Sequence, residues 1–405
     1  MVPGSEQWRD EQRRAILSFA RRSKIDGGGF GWLDNDGGLD ADANLQLWIT
    51  ARMTYVFSLA HLAGGPSTGS GTGENLELAE HGVRALAAFH DDVNGGWYSE
   101  IDATGAPAQT AKFCYEHAFV LLSACAASAA GAEGADALLD EATLVHRTRF
   151  WDADAGRCRE EWNEDWTELD GYRGANSNMH SVEAYLFAAD ATGEDAWRQR
   201  ALAICERVIG IHARGHHWRI PEHYDHDWTP MANYNVEKPS DPFRPFGATP
   251  GHAFEWARLI IQLAASLDEP RPWMQEAAEG LFEQAVADAV DDDAPGIPYT
   301  TDWHGSPVVE ERFHWVIAEA VLAAEALHNY TDDALYEGLA ARWWSEIDEH
   351  FVTEQGWVHE LSPTMGPSSR TWQGKPDAYH AFNAVTLPSL PLAPCPAKTI
   401  ERLAG

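Results

Sequence analysis

The sequence predicts an all-α protein, an (α/α)6 barrel with short β-hairpins or loops at its rim. Three observations carry that expectation. Ala- and Leu-rich stretches with a helical period recur along all 405 residues. They come in pairs, an apolar member rich in small residues followed by a more charged one. A Gly closely followed by an aromatic residue returns about every 60 residues, too long a period for a short solenoid repeat.

The elements follow in order. QWRDEQRRAILSFARR opens the chain as a charged helix, and GGGFGW from Gly27 is the first Gly–aromatic signal. LQLWITARMTYVFSLAHLA from Leu45 pairs with ENLELAEHGVRALAAFH from Glu74, and NGGWYSE follows from Asn94. CYEHAFVLLSACAASAA from Cys114 pairs with ADALLDEATLVHRTRFW from Ala135, then AGRCREEW from Ala155. SNMHSVEAYLFAADAT from Ser177 pairs with DAWRQRALAICERVIGIHA from Asp195, then GHHWRIPEHY from Gly215. GHAFEWARLIIQLAASL from Gly251 pairs with PWMQEAAEGLFEQAVADAV from Pro272, then GIPYTTDW from Gly296. ERFHWVIAEAVLAAEALHNY from Glu311 pairs with DALYEGLAARWWSEIDEHF from Asp333, then QGWVHEL from Gln355. The last helix, near DAYHAFNAV, is left to pair with the first, which closes a ring.

An inner ring of apolar helices inside an outer ring of charged ones produces this contrast. The Gly–aromatic segments become the turns from each outer helix to the next inner one. The expected organisation is one domain over residues 1–405.

Composition narrows the function classes. The formal net charge is −34, a field that repels nucleic acid and anionic lipid. Lysine is confined to Lys24, Lys112, Lys238, Lys375 and Lys398; such an acidic, lysine-poor chain suits a salt-rich cytoplasm, and a GC-rich genome gives the same bias. No apolar run is long enough to span a bilayer, and the charged N-terminal stretch lacks a signal-peptide core, so a cytoplasmic protein is expected. The five cysteines are scattered and form no CxxC pair, against a disulfide framework or a zinc site. No GxxxxGK[ST] loop and no GxGxxG after a strand is present, so no nucleotide cofactor is read.

Polar residues interrupt the apolar inner helices: Arg52; Tyr115, Glu116 and His117; Asn176 and His180; His252 and Glu255; His314, Trp315 and Glu319; and His380. All but Glu319 fall in the first half of their segment, and a barrel would bring such positions to one mouth. Convergent polar groups among aromatics mark a small-molecule site. Singly, each has a plain structural reading as a satisfied core group. Two other clusters compete. His216, His217, His223 and His226 lack the HExxH spacing of a metal helix and fall in an expected loop. Glu160, Glu161, Asp165 and Asp170 could supply the paired carboxylates of a glycosidase, but lie on an expected rim hairpin.

GGGFGWLDNDGGLDADANLQLWITARMTYVFSLA, NSNMHSVEAYLFA, GHAFEWARLI and DAYHAFNA together resemble the N-acylglucosamine 2-epimerase superfamily. Within it the chain is most similar to the branch of mannose and sulfoquinovose isomerases. The resemblance covers nearly the whole chain and implies the (α/α)6 fold. It implies an acid/base pair at His252 and His380, with Glu255 as the carboxylate that orients or tunes its neighbouring histidine. It implies substrate contacts at Arg52, Asn176, His180 and Arg244, and sugar-facing aromatics at Tyr115, Trp315 and Trp372.

The implied reaction is a cofactor-independent interconversion of D-mannose and D-fructose, or of D-lyxose and D-xylulose. Moving a proton between C2 and C1 needs a base, an acid near O1 and stabilisation of the enediolate between them. Histidine suits both proton roles, and Arg52 offers a fixed positive fork. No metal is expected, and the partner is a monosaccharide, with no nucleic acid or membrane; the chain acts as a monomer or a homo-oligomer. The alternatives are a sugar 2-epimerase of the N-acylglucosamine or cellobiose type, a sulfoquinovose isomerase, an inverting glycosidase and a non-catalytic sugar-binding barrel.

Overall fold

The computed structural model describes residues 1–40, 42–64, 72–291 and 294–404. Its helices, in chain order, are α1 (Glu6–Ala20), α2 (Leu47–Gly64), α3 (Thr72–Ala88), α4 (Cys114–Ala129), α5 (Ala135–Val145), α6 (Ala175–Thr192), α7 (Asp195–Cys205), α8 (Pro250–Ala265), α9 (Pro272–Ala289), α10 (His314–Thr331), α11 (Ala334–Glu346), α12 (Tyr379–Thr386) and α13 (Pro396–Ala404). The strands are short hairpins between them, as expected. Two compact units emerge from the packing. One, the first-half unit, takes Ala20–Ile204, Pro376–Tyr379 and the chain from Pro394 onward. The other, the second-half unit, takes Met1–Phe19, Cys205–Lys375 and His380–Ala393.

In the first-half unit α2 packs on α4 and α4 on α6, while α3 and α5 back α2 and α4. Every residue of α2 from Leu47 to Ala60 is buried, the signature of a helix enclosed on all sides. In the second-half unit α8 packs on α10, backed by α9 and α11. The outer helix α9 buries only a stripe, Met274, Ala277, Ala278, Leu281, Phe282, Ala285 and Ala289, at the spacing of a one-faced helix. The expected pairing of the last helix with the first is present: Arg13 on α1 donates to Val385 O (2.9 Å) and Thr386 Oγ1 (3.2 Å) on α12.

The hairpins fix where the inner helices start. The first amide of a helix has no partner within the helix. Here Leu47 N donates to Ser99 O (2.9 Å), Cys114 N to Glu160 O (2.8 Å) and His314 N to His359 O (3.1 Å). Each acceptor belongs to the Gly–aromatic segment that follows the helix pair, so the repeat seen in the sequence is a repeat of helix starts. A buried ion pair braces one of these segments: Lys112 Nζ lies 2.6 Å from both Asp91 Oδ2 and Gly95 O, with neither side chain exposed.

Two details depart from expectation. The helix expected from Glu311 begins at His314, because Pro307–Phe313 continues as a strand through its β-branched and aromatic residues. The amphipathic helix α13, which packs on α2, α4 and α6, was not expected from the repeat, since it lies beyond the last pair.

Candidate active site

In the second-half unit, α8 begins with Pro250, whose fixed φ suits the first helical position. Gly251 follows because nothing larger fits: a Cβ there would sit 2.4 Å from Trp315 Cζ3. His252, Glu255, Arg258 and Gln262 then form one stripe down the helix, at the spacing that stacks side chains on a face. A polar stripe on a buried helix needs partners, and each of its members has one.

His252 Nδ1 is 3.0 Å from Glu222 Oε1, and its Nε2 has no protein partner among the described residues. Its ring lies 5.4 Å from the indole of Trp315, and that indole lies 5.6 Å from the ring of His380 on α12. His380 Nδ1 in turn is 2.8 Å from Glu319 Oε1. Two imidazoles thus flank one indole, each with a carboxylate on its Nδ1. Trp315 and Glu319 stand four apart on α10, so one helix face supplies both the separator and the second carboxylate.

The hydrogen bond of His252 goes to Glu222 and not to Glu255. Glu255 Oε1 accepts from Arg258 Nη2 at 3.4 Å, while Arg258 Nε donates to Glu319 Oε2 at 3.1 Å. The physical reason is position on the helix. His252 is the third residue of α8 and reaches the hairpin residue Glu222; Glu255 is a turn deeper, at the level of Arg258 and Glu319. Arg258 therefore bridges two buried carboxylates, one of which holds His380. Ligand atoms of Glu255, Glu319 and His380 all lie within 4.8 Å of one another, close enough to hold a cation. The guanidinium of Arg258 already supplies positive charge to both carboxylates.

Arg244 and Trp372 lie on loops of the same unit. The Arg244 carbonyl accepts from Asn235 Nδ2 (2.6 Å) and its amide donates to Asp241 Oδ1 (2.8 Å), which pins the backbone that carries the side chain. Trp372 meets Phe243 edge-on at 5.1 Å, and its amide donates to Glu360 Oε2 at 2.8 Å. His314 stacks on His359 at 3.9 Å; burial first, then the neighbouring His314, Lys375 and His380, holds His359 well below the ordinary imidazole range.

The remaining expected residues gather in the first-half unit. Arg52 on α2 donates to Asp377 Oδ2 (3.1 Å) and to Tyr115 Oη (2.9 Å), and its guanidinium lies 4.2 Å from the centre of the Phe119 ring. Its charge is thus matched by a carboxylate rather than left unbalanced. Tyr115 meets His180 edge-on at 5.3 Å. His180 Nδ1 lies 3.7 Å from Glu183 Oε2, and Tyr379 donates its hydroxyl to the same carboxylate oxygen. Asn176, His180 and Glu183 share one face of α6, and Asn176 Oδ1 is buried without a hydrogen-bond partner among the described residues.

Six residues of the competing clusters are engaged in local structure. His216 Nδ1 binds His212 O (2.8 Å) and His223 Nε2 binds Pro245 O (2.7 Å), while His226 faces Asp227 (3.2 Å). Glu160 accepts from Gly174 N (3.0 Å) and Ser177 Oγ; Asp165 and Asp170 accept from their own turns, through Thr167 and the Tyr172 amide.

Sequence reasoning missed Glu222, Arg258, Asp377, Glu183 and Tyr379, and named Glu319 without a role. Helical spacing could have found Arg258 and Glu183, each three residues beyond a residue already named. Glu222 was hidden among the histidines of GHHWRIPEHY. The repeat could have shown it. Ser99 Oγ lies 2.5 Å from Glu116 Oε2, Glu160 binds Ser177, and Glu222 binds His252. In all three, a hairpin residue is joined to the third residue of the following inner helix.

A family model described as N-acylglucosamine 2-epimerase (GlcNAc 2-epimerase) matches residues 28–384. The chain is 45% identical over 392 residues to a D-mannose isomerase of Thermobifida fusca, covering 96% of this chain and 95% of that protein. It is 43% identical over 409 residues to a D-mannose isomerase of Pseudomonas cannabina pv. alisalensis, covering 99% and 96%. Among solved structures, a crystal structure of D-mannose isomerase superposes with a TM-score of 0.88 at 27% identity, over 95% of this chain and 98% of that one. A cellobiose 2-epimerase from Spirochaeta thermophila superposes with a TM-score of 0.80 at 23% identity, over 98% of each chain, a likeness of fold. The (α/α)6 barrel class predicted from the helix pairs is the class of these neighbours.

Proposed function

Because the chain belongs to the N-acylglucosamine 2-epimerase family, we propose that it is an aldose–ketose isomerase that interconverts D-mannose and D-fructose through an enediolate, without a cofactor. The observation that carries the reading is the imidazole–indole–imidazole arrangement of His252, Trp315 and His380, with a carboxylate on each Nδ1. The relatives named D-mannose isomerase, similar over almost the whole chain, support the choice of sugar.

In this reading His380 removes the proton from C2 of the open-chain aldose and returns it to C1. His252 assists ring opening and carries the hydroxyl proton from O2 to O1. The C1 carbonyl becomes a hydroxyl and the C2 hydroxyl a carbonyl, so the step is balanced without an oxidant. A carboxylate on Nδ1 fixes the tautomer of the imidazole, the logic by which an aspartate orients a catalytic histidine. Glu319 serves His380 in this way, and Arg258 donates to both Glu319 and Glu255. Trp315 offers an apolar face between the two rings. The sugar-binding roles of Arg52, Tyr115, Asn176, His180, Arg244 and Trp372 belong to the same proposal; what supports them is the burial of Arg52 and His180 and the fixed backbone of the two loops.

A neutral sugar fits better than a sulfonate. Arg52 is paired with Asp377, and Arg219 forms a two-pronged bridge to Asp288 at 2.7 Å for each contact. A larger kcat/KM for sulfoquinovose than for mannose would reverse this choice of substrate. The reaction itself is tested by incubating D-mannose in D₂O and following products by NMR. Fructose is expected as the main early product; glucose as the main early product would establish a 2-epimerase instead, and neither product would remove the enzymatic reading.

A further inference from the structure

The hairpin bridges carry one inference beyond the reaction. In the first two of the three, the partners are Ser99 with Glu116 and Glu160 with Ser177, joints between a hairpin and a helix. In the third the same joint is Glu222 with His252. We propose that Glu222 is the positioning residue of His252, and that the cavity against it admits a small carboxylate able to replace its side chain. The proposal rests on the isomerase reading of His252 given above.

Glu222 is only 4% exposed, and His252 is its one side-chain hydrogen-bond partner among the described residues. A buried carboxylate with a single partner is costly unless that partner can carry positive charge. A histidine that passes a proton does so once in every turnover. The carboxylate holds the Nδ1–H tautomer and steadies the imidazolium when it forms.

Beside Glu222 lies a cavity of about 200 Å³, lined among others by His216, Pro221, His223, Met231 and Trp303. A water occupies roughly 30 Å³ of liquid, so the space has room for a formate or acetate ion with its hydration. The turn that leads into Glu222 is itself held in an unfavourable backbone conformation: His217 and Trp218 have φ of +56° and +63°. Such conformations are retained where a turn must deliver a side chain to one place.

The test compares Glu222→Ala, Glu222→Gln and Ser99→Ala with the parent. In Glu222→Ala, kcat for mannose is expected to fall about a hundredfold with KM changed only a few-fold, the lower end of what acid–base catalysis contributes. Formate should restore at least about tenfold of that loss with a saturable dependence, and leave the parent unaffected; rescue by an added carboxylate is a behaviour that a hairpin joint would not show. Glu222→Gln, which keeps an acceptor but not the charge, should lie between the two. Ser99→Ala, which breaks the corresponding joint elsewhere, should change kcat by less than about threefold. Histidine-selective ¹⁵N NMR reads the tautomer directly, with the His252 signal identified by its loss in His252→Ala. The parent should show Nδ1 protonated, and Glu222→Ala a tautomer mixture. An unchanged kcat in Glu222→Ala overturns the positioning role, as does a folded, inactive Glu222→Ala with an unchanged tautomer. A tautomer mixture without formate rescue overturns the cavity's part. If the parent itself lacks isomerase activity, the reaction reading fails, and the tautomer measurement still decides whether Glu222 positions His252.

Discussion

Gly251→Ala probes the site through packing alone, without removing any polar group. The new Cβ would stand 2.4 Å from Trp315 Cζ3, 2.7 Å from Cη2 and 3.1 Å from Val316 Cγ2. Carbon atoms in ordinary contact sit at about 3.5–4.0 Å, so the indole has to retreat by about 1 Å or α8 has to move outward. The indole is the partition between His252 and His380, whose rings lie 5.4 and 5.6 Å from it. A displacement of about 1 Å at a catalytic constellation can cost on the order of a hundredfold in rate. Overpacking itself should cost about 1–3 kcal/mol of stability. Gly338→Ala is the comparison: Gly338 sits on the exposed face of α11, and a Cβ there meets nothing within 4 Å. It should stabilise the protein by about 0.5–1 kcal/mol and leave the rate alone. Urea unfolding and initial rates on mannose measure both effects. A Gly251→Ala protein that is destabilised yet turns over mannose at the parental rate would show that Trp315 does not set the spacing of the two histidines.

Three further outcomes are expected. Prolonged dialysis against EDTA should leave the rate on mannose unchanged, because Arg258 supplies the positive charge between Glu255 and Glu319; loss of activity restored by Mn²⁺ or Zn²⁺ would assign that cluster to a metal. Lys112→Met should cost about 3–5 kcal/mol in chemical denaturation, since it takes the cation from buried Asp91 and leaves its carboxylate with the neutral donors Val93 N, Asn94 N and Asn94 Nδ2; a change under 1 kcal/mol would show that water reaches the pair. Burial pushes His117 down to about 3 and His146 down to about 4. The unfolded chain takes up these protons near the ordinary value of about 6.5, so stability is full above that pH and falls as pH drops towards about 4. Each histidine contributes a slope of about 1.4 kcal/mol per pH unit, opposed by Glu116, which burial pushes up to about 8. The loss of stability between about pH 6.5 and 4.5 should therefore be smaller in His117→Gln than in the parent, and an equal loss would contradict the assignment.

The sequence alone determined the helix pairs, their order and the closure of α12 onto α1, because an enclosed helix and a one-faced helix leave different apolar patterns, and burial is a property of each segment by itself. It also determined which inner helices carry polar residues, and so named His252, Trp315 and His380. What only tertiary structure decided was pairing. Glu255, three residues from His252, was the carboxylate that helical spacing offered; the structure gives His252 to Glu222, thirty residues earlier, and gives Glu319 to His380, sixty-one residues apart. Arg52 read as an open positive fork, and its partner Asp377 lies 325 residues away. Periodicity reports which face of a helix is polar. Which carboxylate meets which histidine depends on where one hairpin places one side chain against the next helix, a distance of a few ångströms that no spacing within a segment encodes.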